Sequence, residues 1–225
     1  MSIYKQYLGS DFDRLHPMMQ QRFGLSANKN QYMIGRGAMD RIWNAGIHVL
    51  PFLFIGTRRN IMFPETGKDI PFTIENYAYI DSFGRETVSW IRQFHFKNKI
   101  RHFDATMIYS PQRGKIIDYL GTKQHLAVDI DIKVNTDGSI TIHSGNQRFY
   151  EGNVGFRFPA FFSGDAEVNE SYDESKDRFN ISVKVGNKKF GNIFGYNGYF
   201  KAEFHNIAPR EIPAYAKPTR EEIRE

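Results

Sequence analysis

The sequence predicts a mainly β domain with minor helical content, in which a strongly curved antiparallel sheet forms a half-open barrel or a lipocalin-like cup. About ten segments alternate apolar and polar residues, and turn residues separate them at regular intervals. No helical patterns alternate with these strands, which argues against a parallel sheet. Several strands are apolar on one face only, as in a sheet that wraps around a core. A flat two-sheet sandwich is the alternative.

Short helices are predicted before the sheet. Residues 3–24 form a helical segment, in which Pro17 lies near a helix start and Gly24 provides a stop. Apolar residues recur in this segment at helical spacing, so it is expected to pack against the sheet or to cap it. The sheet is expected to begin at about residue 31.

The predicted strands follow one another through short turns. In chain order they are Met33–Trp43, Phe72–Asp81, Glu86–Phe96, Ile100–Tyr109, Lys115–Leu120, His125–Val134, Ser139–His143, Asp165–Tyr172, Arg178–Val185 and Gly198–His205. Asp137-Gly138 is a strong hairpin signal. Gly35 and Gly37 indicate a bulge or a close approach of another segment to the first strand. The apolar stretch Val49–Gly56 is interpreted, from its length, as a strand or a loop.

A single β domain is expected over residues 1–208. Residues 209–225 contain three prolines and then charged residues, which predicts a mobile or peripheral C-terminal tail. A chain of 225 residues buries enough surface to fold without metal or disulfide cross-links. It has no cysteine, which excludes disulfides, thiolate metal sites and cysteine nucleophiles.

The charge pattern disfavours nucleic acid as a partner. The formal net charge is +5, but the 30 basic residues are interspersed with 25 acidic ones, and no run of five or more basic residues occurs. The first residues lack an apolar signal core, and no stretch approaches the roughly 20 apolar residues that span a bilayer. A cytoplasmic protein without a membrane span is therefore expected.

Charged residues share faces with aromatic residues in the middle strands. Glu86 and Arg92 have the same parity as Trp90 and Phe94, so all four should point to the same side of the sheet. Burial of an unpaired charge is costly, so these charged groups are either paired or line a wet cavity. A structural salt bridge, or a bulge that turns Glu86 and Arg92 outward, is an equally open interpretation.

These patterns favour a domain that binds a hydrophobic or amphipathic small molecule inside the curved sheet. Anionic molecules are included among the expected ligands. An inward arginine is a natural anchor because its guanidinium binds carboxylates and phosphates in a bidentate manner. The predicted ligand-binding residues are Arg36, Tyr77, Glu86, Trp90, Arg92, Phe94, Phe103 and Met107. No metal-ligand spacing or nucleotide-binding loop is found, so no cofactor is predicted.

Two other functions stay open. An enzyme that acts on such a ligand would use Glu86, His102 or Asp104 for proton transfer, and a carboxyl group with a strongly raised pKa inside a cavity would favour it. A structural or protein-interaction module would instead have a filled core and an exposed apolar patch. The sequence does not decide whether the protein is an enzyme.

Several ordered segments resemble a bacterial family known as domain of unknown function 4166, over roughly residues 3 to 206. The segments are Phe12–Pro17, Gly35–Gly37, Asp40–Trp43, Pro71–Tyr77, Phe83–Thr87, Phe103–Met107, Asp118–Gly121, Gln147–Gly152, Phe190-Gly191, Phe194–Tyr196 and Gly198. The resemblance implies a domain that occurs alone or is fused to nucleotide-binding reductase-like domains or membrane segments. Such fusions suggest an accessory domain that handles a small or lipidic molecule. The resemblance implies no catalytic residues.

Overall fold

The computed structural model describes residues 1–157, 164–187 and 191–225. Phe190, which belongs to one of the family motifs, lies outside the described residues. The α-helices are α1 (Ile3–Leu8), α2 (Pro17–Phe23) and α3 (Leu50–Thr57). The strands are β1 (Gln31–Asn44), β2 (Gly67–Ile80), β3 (Glu86–Phe96), β4 (Lys99–His102), β5 (Ala105–Ser110), β6 (Lys115–Leu120), β7 (Leu126–Val134), β8 (Ile140–Glu151), β9 (Val154–Arg157), β10 (Asp165–Asp173), β11 (Arg178–Asn187) and β12 (Gly191–Asn206). Short 3₁₀ segments are Gly9–Arg14, Ala27–Lys29, Ile47–Val49, Pro209–Glu211 and Ala214–Ala216.

Ten antiparallel strands form a closed barrel. The neighbours run β10-β11-β12-β1-β2-β3-β5-β6-β7-β8, and a pairing of β8 with β10 closes the ring. The strands β4 and β9 lie off the ring and pair with β3 and β8. The predicted mainly β fold with a strongly curved antiparallel sheet is confirmed, and the ring is closed rather than half-open. Closure removes the exposed edges that an open cup would retain.

The strands alternate between a barrel interior and an outer face, as their sequences predict. In β1 the inward positions include Gly35 and Gly37, where β12 crosses closely. A Cβ atom on Gly37 would lie 2.0 Å from the carbonyl oxygen of Tyr199, and one on Gly35 would lie 2.5 Å from the ring of Phe200. A register shift follows between Met39 and Arg41. Glycine is thus required for the close approach that the sequence indicated.

The N-terminal helices pack against the barrel, and α2 covers one of its ends. Pro17 occupies the first turn of α2, where its missing N–H costs nothing, and the Nδ1 atom of His16 accepts a hydrogen bond from the backbone N–H of Met18 at 3.2 Å. Gly24 ends the helix. The buried Arg22 and Phe23 then extend from α2 into the barrel core. These two side chains therefore occupy part of the barrel interior at this end.

Two sequence-based assignments are wrong. Val49–Gly56 was expected to be a strand or a loop, but it is largely the helix α3, which has a proline in its first turn. Ile100–Tyr109 was expected to be one strand, but it is divided into β4 and β5. The break arises because the backbone N–H of Asp104 donates to the carbonyl of Asn60 at 2.8 Å rather than to a neighbouring strand.

The chain after β12 lies along the outside of the barrel. Ile212 and Ala216 cover Tyr77 and Tyr79 on the outer face of β2. Further along, the hydroxyl of Tyr119 donates to the carbonyl of Arg224 at 3.0 Å. These contacts cover apolar outer residues of the sheet. Among the described residues, no helix has the length and apolar character needed to cross a bilayer.

A candidate ligand-binding cavity

The half of the barrel interior away from α2 contains a cavity of about 410 Å³. This volume is within the range of small-molecule sites. Inward residues of adjacent strands form most of its wall, namely Leu126, Val128 and Ile130 of β7, Ile142 and Phe149 of β8, Ala166 and Val168 of β10, and Val183 and Val185 of β11. The wall is therefore mainly apolar. It arises from the period-two alternation of these strands, which puts every second side chain inside.

The helix α3 forms the mouth of the cavity. Phe52 and Ile55 line the cavity, yet they are 52% and 68% exposed to solvent. A side chain can meet both conditions only where the cavity opens. On the other side of the helix, Leu53 and Gly56 are buried against the barrel. Thus α3 is attached by one face and presents the other at the opening.

Arg92 reaches the cavity from β3. Its Nε donates to the carbonyl of Phe103 at 2.6 Å, and its Nη1 donates to the hydroxyl of Tyr196 at 3.2 Å. The guanidinium carbon also lies 4.1 Å from the centre of the Phe103 ring. Within the described ranges, no carboxylate oxygen lies within 4.0 Å of this guanidinium, and Nη2 makes no hydrogen bond. Among the residues that the structure describes, the buried guanidinium of Arg92 therefore has neutral partners only.

Asp118 is the second ionisable group on the cavity wall, and it lies on β6 between Ile116 and Leu120, which have the same parity. Its Oδ1 atom is buried and has no hydrogen-bond partner among the described residues. Desolvation raises the pKa of Asp118 to about 7, although the positive charge of Arg92 lowers it in part. The carboxyl group is thus close to half-protonated at neutral pH.

A second basic group lies near the mouth. The Nη1 atom of Arg59 contacts Nδ1 of His125, and Nε2 of His125 lies 2.8 Å from the carboxylate of Glu151. Burial lowers the pKa of His125, and the charge of Arg59 lowers it further. A neutral imidazole fits both contacts, since its Nε2–H donates to Glu151 while Nδ1 accepts from Arg59. In the part of the chain that the structure describes, no three His, Asp or Glu residues form a group that could hold a metal ion.

Two of the eight predicted ligand-binding residues, Arg92 and Phe103, line the cavity. Three others point inward but are packed into the core beside it. Trp90 lies against the guanidinium of Arg22, whose carbon is 4.7 Å from its ring centre. Phe94 packs on Phe63 and Tyr196. Met107 accepts a hydrogen bond at its Sδ from the hydroxyl of Tyr4 at 3.2 Å.

The other three predicted residues are not at the cavity. Arg36 is exposed on the outer face, where it pairs with Glu203 at 3.3 Å, because the glycines on either side of it occupy the inward positions. Tyr77 is also outside, stacked on Tyr32 at 5.1 Å under the C-terminal segment. Glu86 lies at the start of β3 and accepts a hydrogen bond from the backbone N–H of Ala27 at 2.6 Å.

His102 and Asp104, which the sequence suggested for proton transfer, do not line the cavity either. His102 ends β4, and Asp104 lies between β4 and β5. Asp104 accepts hydrogen bonds from Asn60 Nδ2 at 2.9 Å and from the backbone N–H of Arg92 at 3.2 Å. His102 lies beside it, with Nδ1 3.3 Å from the carboxylate. The contacts of Asp104 connect β3 and Asn60 to the short segment between β4 and β5.

Sequence reasoning missed Asp118 and the α3 residues. The signal for Asp118 was weak because Ile116 and Ile117 make both faces of β6 apolar, so the inward face cannot be recognised from that strand alone. Comparison of Asp118 with its neighbour Val128 on β7 would have helped, since β7 alternates clearly. The apolar stretch of α3 was noticed, but its position at an opening is a tertiary property.

Comparison with known proteins identifies the family. The chain matches the family described as "Domain of unknown function (DUF4166)" over residues 15–200. It is also similar to "Uncharacterized protein YndH" of Bacillus subtilis (strain 168), with 36% identity over 203 residues that cover 90% of this chain and 97% of that protein. Both matches confirm the resemblance that the ordered sequence motifs indicated. The chain therefore belongs to the DUF4166 family.

Proposed function

We propose that the barrel binds a hydrophobic or amphipathic small molecule, with an acidic head group at Arg92 and the apolar part along the cavity wall. The observation that carries this proposal is the buried guanidinium of Arg92, which has no carboxylate within 4.0 Å in the described part of the chain, on the wall of an apolar cavity of about 410 Å³. A filled structural module does not account for this space. A nucleic acid does not suit the apolar wall.

The electrostatics of the cavity favour a ligand with a single acid group. A buried cation is stabilised most by a desolvated anion, which forms charge-assisted hydrogen bonds with it. Nη2 of Arg92 is available for such a bond. Asp118 in its protonated form donates a hydrogen bond to the same head group, whereas its ionised form repels an anion. We therefore expect the affinity for an anionic ligand to fall as the pH rises through about 7.

The first test is mass spectrometry of the purified protein under native and then denaturing conditions, with analysis of its organic extract. A stoichiometric amphiphile would support the proposal and identify the ligand class. The second test uses calorimetry with decanoate and decanol, which share a chain and differ in charge. If neither compound nor any extracted molecule binds, the cavity is not a binding site and the proposal fails.

Replacement of Arg92 with Met separates the acidic head from the apolar chain. We expect Arg92→Met to weaken decanoate binding by roughly tenfold to a hundredfold, since a hydrogen bond to a charged group contributes about 1.5–3 kcal/mol. Decanol binding should change much less. Arg113→Met is the matched control, because Arg113 pairs with Asp129 on the outer face at 3.0 Å. Equal losses for the acid and the alcohol would contradict the anchoring role of Arg92.

A second candidate function is acid–base catalysis on a bound ligand, and Asp118 is the residue that favours it. A carboxyl group with a pKa of about 7 in an apolar cavity is suited to accept and return a proton near neutral pH. Exchange of the α-hydrogens of 2-decanone in deuterium oxide, followed by NMR, would detect general-base activity. The exchange should require Asp118 and be lost in Asp118→Asn. If the exchange is no faster than in buffer without the protein, the catalytic candidate is rejected and ligand binding is the function that stays proposed.

The cytoplasmic location expected from the sequence stays a prediction.

A further inference from the structure

The segment that precedes and forms α3 exposes large apolar side chains at the cavity mouth. Ile47 is 85% exposed, Phe54 is 56% exposed, and Phe52 and Ile55 are also more than half exposed. Exposed apolar residues are common one at a time, but four within nine positions form a patch that is unusual for a surface in water.

The face of α3 opposite to the patch fixes the helix to the barrel. Val49, Leu53 and Gly56 are buried, and Gly56 lies close to Met62, so that an added Cβ would be 3.3 Å from the Met62 backbone. The helix is thus apolar on its inner face and apolar on its outer face. Packing within this chain explains the first property only. The outer face has the composition of a surface that inserts into an apolar medium.

The charges around α3 indicate what that medium is. No acidic residue occurs between Asp40 and Glu65, although 25 are present in the chain. The helix is followed at once by Arg58, which is exposed, and Arg59, which is half-buried. Exposed apolar side chains beside basic ones suit the surface of an anionic bilayer, because the apolar groups can enter the boundary of the acyl chains while the basic groups lie near anionic head groups. The net charge of +5 would add a long-range attraction to the same surface.

We propose that the α3 surface, formed by Ile47, Phe52, Phe54, Ile55 and Arg58, docks on an anionic lipid bilayer. Phe52 and Ile55 also line the cavity, so docking would place the cavity mouth against the lipid. An amphiphile could then move between bilayer and barrel without crossing water. The transfer step rests on the proposed ligand binding, whereas docking itself does not.

The test measures co-sedimentation with phosphatidylcholine vesicles and with vesicles in which about a third of the lipid is phosphatidylglycerol. We expect binding to the anionic vesicles that weakens when the salt is raised to about 1 M, where charges are screened within about 3 Å. Phe54→Gln should lower the partition coefficient at least roughly tenfold, since it removes one inserted aromatic ring. Phe54 does not line the cavity, so this change leaves the proposed ligand site intact.

Phe83→Gln is the matched control. Phe83 is also exposed, but it lies in the β2–β3 turn at the end of the barrel remote from α3. Vesicle binding that is lost in Phe54→Gln and kept in Phe83→Gln would support the proposal. Equal effects of both variants would overturn it. A concentration-dependent dimer that Phe54→Gln abolishes, without vesicle binding, would overturn it in favour of self-association through α3.

The two proposals can fail separately. Decanoate binding measured without vesicles should be unchanged in Phe54→Gln, because Arg92 and the inner wall are untouched. Conversely, Arg92→Met should still bind anionic vesicles. Vesicle binding without decanoate binding would leave the docking surface established and remove the transfer step. Circular dichroism of each variant confirms that the barrel is folded.

Discussion

Two buried arginines among the described residues lie in adjacent layers of the barrel interior, and their surroundings differ. Arg22 enters from α2 and pairs with both carboxylate oxygens of Glu170, one of them at 3.1 Å, and it also contacts the side-chain oxygen of Asn76. Arg92 lies one inward position beyond Trp90 on β3, and among the described residues its guanidinium bonds only to a carbonyl and a hydroxyl. Both have aromatic neighbours, so aromatic packing alone does not distinguish them.

The difference separates a structural network from a binding site. Arg22 pairs with Glu170 and packs on the ring of Trp90, which is the arrangement expected of a buried pair that fixes a helix in place. Arg92 lies on the cavity wall, and Asp118 on the same wall has a side-chain oxygen with no hydrogen-bond partner among the described residues. Uncompensated charge beside a cavity is what a ligand can correct.

The largest expected effect is on the Arg22 network. Glu170→Gln leaves the guanidinium of Arg22 buried without a counter-charge, so we expect a loss of roughly 3–5 kcal/mol in the free energy of unfolding. Urea denaturation measures it. Glu174→Gln is the control, because Glu174 forms an exposed pair with His16 at 3.0 Å that should contribute less than about 1 kcal/mol. Similar losses in the two variants would mean that the Arg22 network does not anchor α2.

A pH-dependent effect of intermediate size is expected at Asp118. Its pKa in the folded protein is about 7 against an ordinary value of 3.8, so the folded state binds the proton more tightly than the unfolded state. The free energy of unfolding should therefore fall as the pH rises between about 4 and 7.

Asp118→Asn removes this dependence. The variant should be more stable than the wild type by roughly 2 kcal/mol at about pH 8, less than the full conversion of the shift because the new amide is also desolvated in the apolar cavity. The advantage should shrink towards about pH 4. Parallel stability curves for the two proteins, measured by urea denaturation across this range, would show that Asp118 is ionised and stabilised by a partner in the folded state.

The smallest expected effect on the free energy of unfolding is that of replacing Arg92. Arg92→Met, in protein freed of ligand by unfolding and refolding, should lose about 1 kcal/mol or less. It breaks two hydrogen bonds to neutral groups but also removes an unpaired buried charge, and these effects offset each other. Thermal or urea unfolding gives the value. A loss as large as that of Glu170→Gln would assign Arg92 to a structural network and would weaken the case for a ligand anchor.

The sequence predicts several strands with their bounds. The bounds of β3 and β6 agree with the expectation, and the parity of β3 correctly turns Trp90, Arg92 and Phe94 inward. Arg36 was misplaced because the inward residues beside it are glycines, which carry no hydrophobic signal. When the inward residues of a strand are glycines, the sequence does not show whether the arginine between them points inward or outward.

Which inward residue reaches the cavity could not be predicted from strand patterns. Trp90 and Arg92 have the same parity, but Arg22 fills the space next to Trp90 and leaves the next layer empty. That outcome depends on where α2 enters the barrel, which is a long-range property. The conformation of residues 50–57 was missed for a related reason, since an all-apolar stretch has no period that distinguishes a helix from a strand.

The position of β1 between β2 and β12 has a consequence for biosynthesis. Gln31 pairs with Asn206, so the earliest strand waits for the last described strand before its second edge is covered. During translation β1 and β2 can form a hairpin-like pair, but the ring stays open until β12 has left the ribosome. Such non-local closure slows folding and leaves an unpaired edge that other chains can join. We therefore expect a nascent chain truncated before β12 to depend on chaperones far more than the full barrel does.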